Sequence, residues 1–463
     1  MTTSNRAEVL ASLPSLGDEN LRPAIQAEFK ASGQKLVVLD DDPTGTQTVY
    51  DVPVLTEWSV PTLRSEFEND LSCFYVLTNS RSLGEEAAAA LNREIAINLM
   101  DAAGERPFRV VSRSDSTLRG HFPLETDVLS DELGPFDGIL LVPFFEAGGR
   151  YTIGDTHYVA EGDTLLPAAE TPFAQDATFG YSHSNLKEWV EEKTGGRMLA
   201  SEVESISIQR IRTEGVDGVA ALLESLPQGC VCVVNAAAPR DLDVVMLGLE
   251  RAELAGKKYL FRTGAEFVAS RIGLPDRAFW RPSVTSNKTG GLVIVGSHVP
   301  KSTVQLEFLL EQGDLESIEL EVDSLLTGEP DLVGALVLKL VAYLQAGTDV
   351  VVYTSRNLVL GSNPDSSLAV SRRVSNALVS IVQQLTVSPS FLIAKGGITS
   401  SDIATRGLGV RRAKVLGPIL PGVPVWETGA ETRFPELPYV VFPGNVGGES
   451  ALLDAVRIFQ DCR

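Results

Sequence analysis

The run Leu36-Val37-Val38-Leu39 passes without a break into Asp40-Asp41-Asp42-Pro43-Thr44-Gly45-Thr46. Four branched apolar residues in succession predict a strand of a parallel sheet, covered on both faces. Three carboxylates cannot be buried together without heavy desolvation and repulsion, and proline and glycine stop the strand. The aspartates must then stand where the strand opens to water, a cation or a ligand. In an open α/β sheet that place is the crevice at the carboxyl ends of the strands. Taken alone, the stretch reads either as a ligand-facing loop or as a plain acidic turn.

The pattern recurs. Residues 72–78 predict a second strand ending in Asn79-Ser80-Arg81-Ser82, and residues 84–101, rich in Ala and Glu, predict a helix. Further strands are expected at 108–112, 138–143 and 230–235, with helices near 184–194 and 241–254. Strands alternating with helices imply right-handed βαβ units. Residues 1–33 read as a polar, helical lead-in, and residues 144–207 as loops of a substrate-shaping insertion. After a polar stretch, RPSVTSNKTGG at 281–291, a second series begins. Its strands are expected at 292–295, 350–353, 391–394 and 439–442, and its helices at 302–312, 332–345 and 371–384.

A chain of 463 residues exceeds one ordinary core. The expected organisation is a lead-in (1–34), a first domain (35–280), a linker (281–291) and a second domain (292–463). The fold class is α/β: two domains, each a mostly parallel sheet flanked by helices, with the active site in the cleft between them.

Composition narrows the partners. With 39 basic against 61 acidic residues the net charge is −22, which repels nucleic acid and anionic membranes. The N-terminus, MTTSNRAEVLASLPSL, has no apolar signal core, and no run of about 18 apolar residues occurs. A cytoplasmic protein is expected. Cys73, Cys230, Cys232 and Cys462 read as reduced packing residues, and His121, His157, His183 and His298 lack metal-ligand spacing.

Three strand ends of the first half carry chemistry: Asp40–Thr46, Asn79–Arg81 and Arg113–Gly120. Arg81, Arg113 and Arg119 are suited to clamp a carboxylate, because guanidinium forks match it bidentately. The same arginines would equally serve as plain ion pairs to Asp40–Asp42. In the second half, Gly296-Ser297-His298-Val299-Pro300-Lys301-Ser302 resembles a Walker A loop, but Pro300 stands where glycine must precede the lysine. Lys395-Gly396-Gly397-Ile398-Thr399 and Pro443-Gly444-Asn445-Val446-Gly447 are further glycine turns that let backbone N–H groups approach an anion. Asp40-Asp41-Asp42-Pro43-Thr44 also fits the DxDx[T] pattern of haloacid-dehalogenase-type phosphatases. No convincing downstream acidic pair follows for that chemistry, and a non-catalytic sugar-acid-binding protein is a third reading.

Together these motifs resemble the four-carbon acid sugar kinases, the family of D-threonate, D-erythronate and 3-oxo-tetronate kinases. The resemblance runs from about Lys35 to Val456. It is carried by a DDxTG motif (Asp41–Gly45), a DSTLRG motif (Asp115–Gly120), the Gly296-Ser297 turn, the GG-x-T turn (Gly396–Thr399) and the PGN-x-G turn ending at Gly447. It implies ATP-dependent phosphorylation of a terminal hydroxyl on a short sugar acid, with Mg²⁺ bridging the phosphates. By motif, Asp41, Asp42, Arg81, Arg113, Ser114, Asp115, Ser116 and Arg119 would contact the sugar acid, with Asp42 and Asp115 catalytic. Ser297, Gly396, Gly397, Ile398, Thr399, Gly444 and Gly447 would hold the nucleotide. The implied partners are a small-molecule sugar acid and ATP, with no nucleic acid and no membrane, and a homodimer is compatible. Thr46, where the family often has Ala, and Ser112-Arg113-Ser114, where it is often lysine-rich, depart from the pattern on the substrate side.

Overall fold

The computed structural model describes residues 4–283, 288–328, 331–357 and 364–463, without the side chains of 364–368. The expected linker 281–291 therefore lies partly outside the described residues. The chain forms two compact units: Met1–Val49 with Glu57–Arg277, and Tyr50–Thr56 with Ala278–Arg463. Each contains a mostly parallel sheet flanked by helices. The second unit thus includes a short excursion of the chain, residues 50–56, for which the sequence reading had no place.

Among the described residues the first unit holds seven parallel strands in the order Glu204–Ile206, Cys230–Val234, Gly138–Val142, Tyr259–Thr263, Phe108–Arg113, Lys35–Asp40 and Cys73–Leu77. Every residue of Lys35–Asp40 is buried, as its unbroken apolar run requires. The helix Glu85–Ala103 packs through Ala88, Ile95, Ala96, Leu99 and Ala103, the face that a 3.6-residue period selects. From Lys35–Asp40 the chain proceeds to one side of the sheet, and from Phe108–Arg113 to the other. The carboxyl ends of these two neighbours are therefore a topological switch point, where open α/β sheets bind ligands.

Residues 144–207 are more ordered than their sequence pattern suggested. Arg150–Ile153, Thr156–Glu161 and Thr164–Pro167 form an antiparallel meander, with Ser4–Asn5 along its edge. The helix Leu186–Lys193 buries Leu186, Trp189 and Val190 in a core with Leu118, Phe122 and Tyr181. Strands this short, half exposed and joined by tight turns at Gly154 and Gly162, leave little periodicity to read.

The second unit orders its strands as Pro53–Leu55, Arg412–Leu420, Val423–Thr428, Pro438–Phe442, Leu392–Lys395, Leu292–Val295, Val350–Thr354 and Glu316–Leu320. The last five are parallel, and the first three attach antiparallel. The helices Pro300–Gln312 and Ala451–Gln460 cover it through Leu306, Leu309, Leu452 and Phe459, the last stacked on Phe391 at 4.3 Å. Here too a switch point falls between two neighbours, Leu292–Val295 and Leu392–Lys395. Among the described residues no helix is long and apolar enough to cross a membrane, and the four cysteines are free.

Candidate active site

At the first switch point the three aspartates divide into two sealed and one accessible. The side chains of Asp40 and Asp41 are 3% and 2% exposed, whereas Asp42 keeps 18% and Asp115 keeps 14%. Arg113 donates to Asp40 Oδ1 at 3.0 Å. Gly45 folds directly over the Asp40 carboxylate, with no room for a Cβ at that position. Burial pushes the Asp40 carboxyl up to about 7, against the opposing pull of Arg113. An attacking nucleophile needs an open face, so this placement removes the basis of the phosphatase alternative, which relied on Asp40.

Asp41 sits beneath the site. Its Oδ2 accepts from Ser114 Oγ at 2.6 Å, and that hydroxyl oxygen accepts in turn from Arg262 at 2.8 Å. Its Oδ1 is buried and lacks a hydrogen-bond donor among the described residues. Burial raises the Asp41 carboxyl above the usual range, with Arg81 opposing. Arg81 reaches Asp42 at 2.5 Å and Asp115 at 3.7 Å, tying the two accessible carboxylates together. Burial disfavours the charge on Asp42, but Arg81, Arg113 and hydrogen bonds from Thr44 outweigh it and hold this carboxyl below its ordinary value. At Asp115, burial is likewise overcome by Arg119, at 2.6 Å, and by Arg81. Both carboxylates are ionised acceptors near neutral pH.

The Asp115–Gly120 turn is clamped from the meander and the segment after it. His157 is fully buried, its Nε2 2.7 Å from the Ser116 carbonyl and its Nδ1 2.9 Å from Thr152 Oγ1. Burial lowers its pKa to about 4, so the ring is neutral; a carbonyl can only accept, which puts the proton on Nε2. Tyr181 donates to the Thr117 carbonyl at 2.9 Å. Ser116 itself is buried. Sequence reasoning missed His157, Tyr181, Arg262 and Glu125, which pairs with Arg262 at 2.5 Å. His157 lacks metal-ligand spacing, and nothing local in the sequence ties any of the four to the turn.

In the second unit the three glycine turns follow adjacent parallel strands and pack on one another. Gly396 has φ +114°, a conformation side chains rarely adopt, and an added Cβ would stand 2.8 Å from Ser297 Cβ. A Cβ on Gly296 would meet Thr399 Oγ1 at 2.5 Å, and one on Gly444 would meet Ser297 Oγ at 3.2 Å. Ser302 links two turns: its hydroxyl donates to the Gly444 carbonyl at 2.9 Å, and its oxygen lies 3.1 Å from Ser297 Oγ. Gln305 holds the third turn through the Val446 and Gly448 carbonyls on either side of Gly447. Ser297, Thr399, Gly396 and Gly444 are thus brought together; Gly397 follows Gly396, Ile398 is 65% exposed and Gly447 lies at the exposed rim.

Two basic residues here were not anticipated as site residues. Lys395 is fully buried, donates to the Pro443 carbonyl at 2.5 Å and lies 4.1 Å from the Phe442 ring. Burial, with Lys301 adding to it, lowers its ammonium to about 7. Arg356 donates to the Ser297 carbonyl and to Thr303 Oγ1, each at 2.7 Å, while its Nε and one terminal nitrogen are buried without acceptors among the described residues. Closely packed glycine turns beside unsatisfied guanidinium donors suit a phosphate chain. Among the described residues no three His, Cys, Asp or Glu side chains converge to hold a metal.

Residues 36–271 match the family model of a sugar-binding N-terminal domain, and residues 292–452 that of a nucleotide-binding C-terminal domain. A D-erythronate kinase from Heliobacterium modesticaldum is 25% identical over 224 residues, covering 46% of this chain and 47% of that protein. The chain therefore spans about half the length of that relative. Two crystal structures share the fold. A putative tRNA synthase from Salmonella typhimurium has a TM-score of 0.68 at 17% identity, with 91% of this chain and 98% of that one covered. Haemophilus influenzae protein HI1011 has a TM-score of 0.64 at 19% identity, with 91% and 100% covered.

Proposed function

The chain belongs to the four-carbon acid sugar kinase family, and on that premise we propose that it transfers the terminal phosphoryl group of ATP to a terminal hydroxyl of a four-carbon or similarly short sugar acid. The observation that carries this reading is the pairing of Asp42 and Asp115 through Arg81: two ionised, accessible carboxylates at a topological switch point.

Phosphoryl transfer asks for positioning and charge stabilisation more than for covalent chemistry. Asp42 and Asp115 accept hydrogen bonds from sugar hydroxyls, and one of the two receives the proton that the attacking hydroxyl loses. Arg81 keeps them ionised and fixes their spacing. Asp41, Ser114 and Arg262 form a hydrogen-bonded chain beside Arg81. In the second unit, Ser297, Gly396, Thr399 and Gly444 would hold the nucleotide's phosphates, with Gly397, Ile398 and Gly447 on the turns around them and Arg356 donating to the chain. ATP supplies the transferable phosphoryl group. Its Mg²⁺ would be carried mainly by phosphate oxygens and water, as this ion prefers.

An ADP-release assay with a panel of four-carbon sugar acids tests the reading. Acid-dependent ADP formation is expected. Phosphate release from sugar phosphates without ATP would instead restore the phosphatase, and tight acid binding with no ADP would make the chain a binding protein.

A further inference from the structure

The substrate side poses a charge problem. A sugar acid brings a carboxylate into a site already crowded with Asp40, Asp41, Asp42, Asp115 and Glu125. The arginines that sequence reasoning assigned to clamp it are engaged. Arg81 faces Asp42 at 2.5 Å, Arg113 faces Asp40 at 3.0 Å, and Arg119 faces Asp115 at 2.6 Å and Asp176 at 3.7 Å. Arg262 is taken by Glu125 at 2.5 Å.

Arg150 is different. It opens the meander strand Arg150–Ile153, and its guanidinium lies 5.4 Å from the centre of the Phe173 ring. Arg119 stands 5.1 Å from the same ring centre, so one aromatic side chain seats both cations beside the Asp115 turn. Among the described residues Arg150 has no carboxylate in ion-pair range, and its Nε is buried without an acceptor. Asp115 attracts its charge and Arg119 repels it, although burial lowers its pKa overall. A half-buried arginine with no counter-ion and an unsatisfied donor is costly unless an anion completes it. Its planar fork matches a carboxylate bidentately.

We infer that Arg150 binds the carboxylate of the sugar acid, while the Asp42–Asp115 pair takes its hydroxyls. This rests on the kinase reading and deepens it, giving residues 144–207 the task of requiring an acid rather than a neutral polyol. The site's discrimination then lies in a cation supplied by the insertion, outside the strand-end motifs.

The test compares wild type, Arg150→Gln and Arg150→Lys with D-erythronate, D-threonate and neutral erythritol, by ADP release and by calorimetric binding. Loss of one charge-assisted contact should raise KM for the acids roughly tenfold to a hundredfold in Arg150→Gln. Expected alongside are kcat within about threefold, unchanged KM for ATP and unchanged weak handling of erythritol, a split that general loosening of the fold would not give. Arg150→Lys, which keeps the charge but not the fork, should fall between, and it alone decides the matter if Arg150→Gln does not fold. Acid KM values unchanged in both variants, or erythritol affected as strongly as the acids, would overturn the inference. Wild type that binds these acids without forming ADP would overturn the kinase reading while leaving Arg150's role measurable by binding.

Discussion

The two units meet their proposed ligands with opposite materials. The first presents side chains: carboxylates and guanidiniums locked pairwise, each fixing the ionisation and rotamer of the next. The second presents mostly backbone, three glycine turns packed so closely that a Cβ on Gly296 or Gly396 would clash with the neighbouring turn. A short sugar acid differs from its stereoisomers only in where its hydroxyls point, and rigid directional side chains can tell those apart. A triphosphate is the same in every turnover, and a row of amides suffices for it. Both arrangements nonetheless bury guanidinium donors without acceptors among the described residues, the Nε of Arg113 and of Arg150 in the first and two nitrogens of Arg356 in the second.

Asp42→Asn strikes the first arrangement hardest. Turnover should fall by about 10²–10⁴, the range of a lost proton acceptor, while ADP affinity measured by calorimetry stays within twofold. Loss of ADP affinity in this variant would break the division of labour between the units. Gly396→Ala is the counterpart in the second unit. Strain at a positive φ and the clash with Ser297 should cost roughly 1–3 kcal/mol, read as about tenfold or more in ADP affinity with sugar-acid binding intact. Gly444→Ala, whose Cβ would meet only a hydroxyl at 3.2 Å, should cost visibly less, and equal losses would argue against a shape-restricted cradle.

Lys395 offers a comparison in pH. Its folded-state pKa is about 7 against an ordinary 10.5. Between those values the unfolded chain holds a proton that the folded chain has shed, so this residue makes stability rise with pH across the window. The Tm advantage of Lys395→Met over wild type should therefore be largest near pH 7 and shrink toward pH 10. A constant gap would mean the ammonium stays charged against the Pro443 carbonyl. The smallest effect belongs to Tyr181→Phe. Losing one hydrogen bond to the Thr117 carbonyl should cost about 0.5–1.5 kcal/mol, a few-fold rise in sugar-acid KM with ATP kinetics unmoved.

The strands that line both switch points were legible because a doubly covered strand must be apolar throughout, as Leu36–Leu39 and Leu292–Val295 are. Others were hidden for identifiable reasons. Tyr259–Thr263 carries Arg262, whose charge argues against burial until Glu125 and Ser112 are seen to satisfy it. Arg412–Leu420 contains Gly417 and Pro418, which read as a turn, and Glu316–Leu320 is a largely exposed edge strand. At the site, Asp42, Asp115 and Arg81 announce themselves by residue type. That Asp40 and Asp41 are sealed, and that His157 and Tyr181 hold a turn some 40 and 64 residues earlier, depends on tertiary contacts that no local pattern encodes.

The excursion at residues 50–56 makes the units inseparable by a single cut. Pro53–Leu55 pairs with residues 412–414 at the start of Arg412–Leu420, and Asp51 and Val52 bond Val415, so a fragment beginning at Ala278 would lack that partner and leave the amides and carbonyls of residues 412–415 open. Such an edge invites pairing with another chain. Anyone expressing the nucleotide-binding half alone should expect aggregation, and supplying residues 50–56 as a fused or added peptide should relieve it.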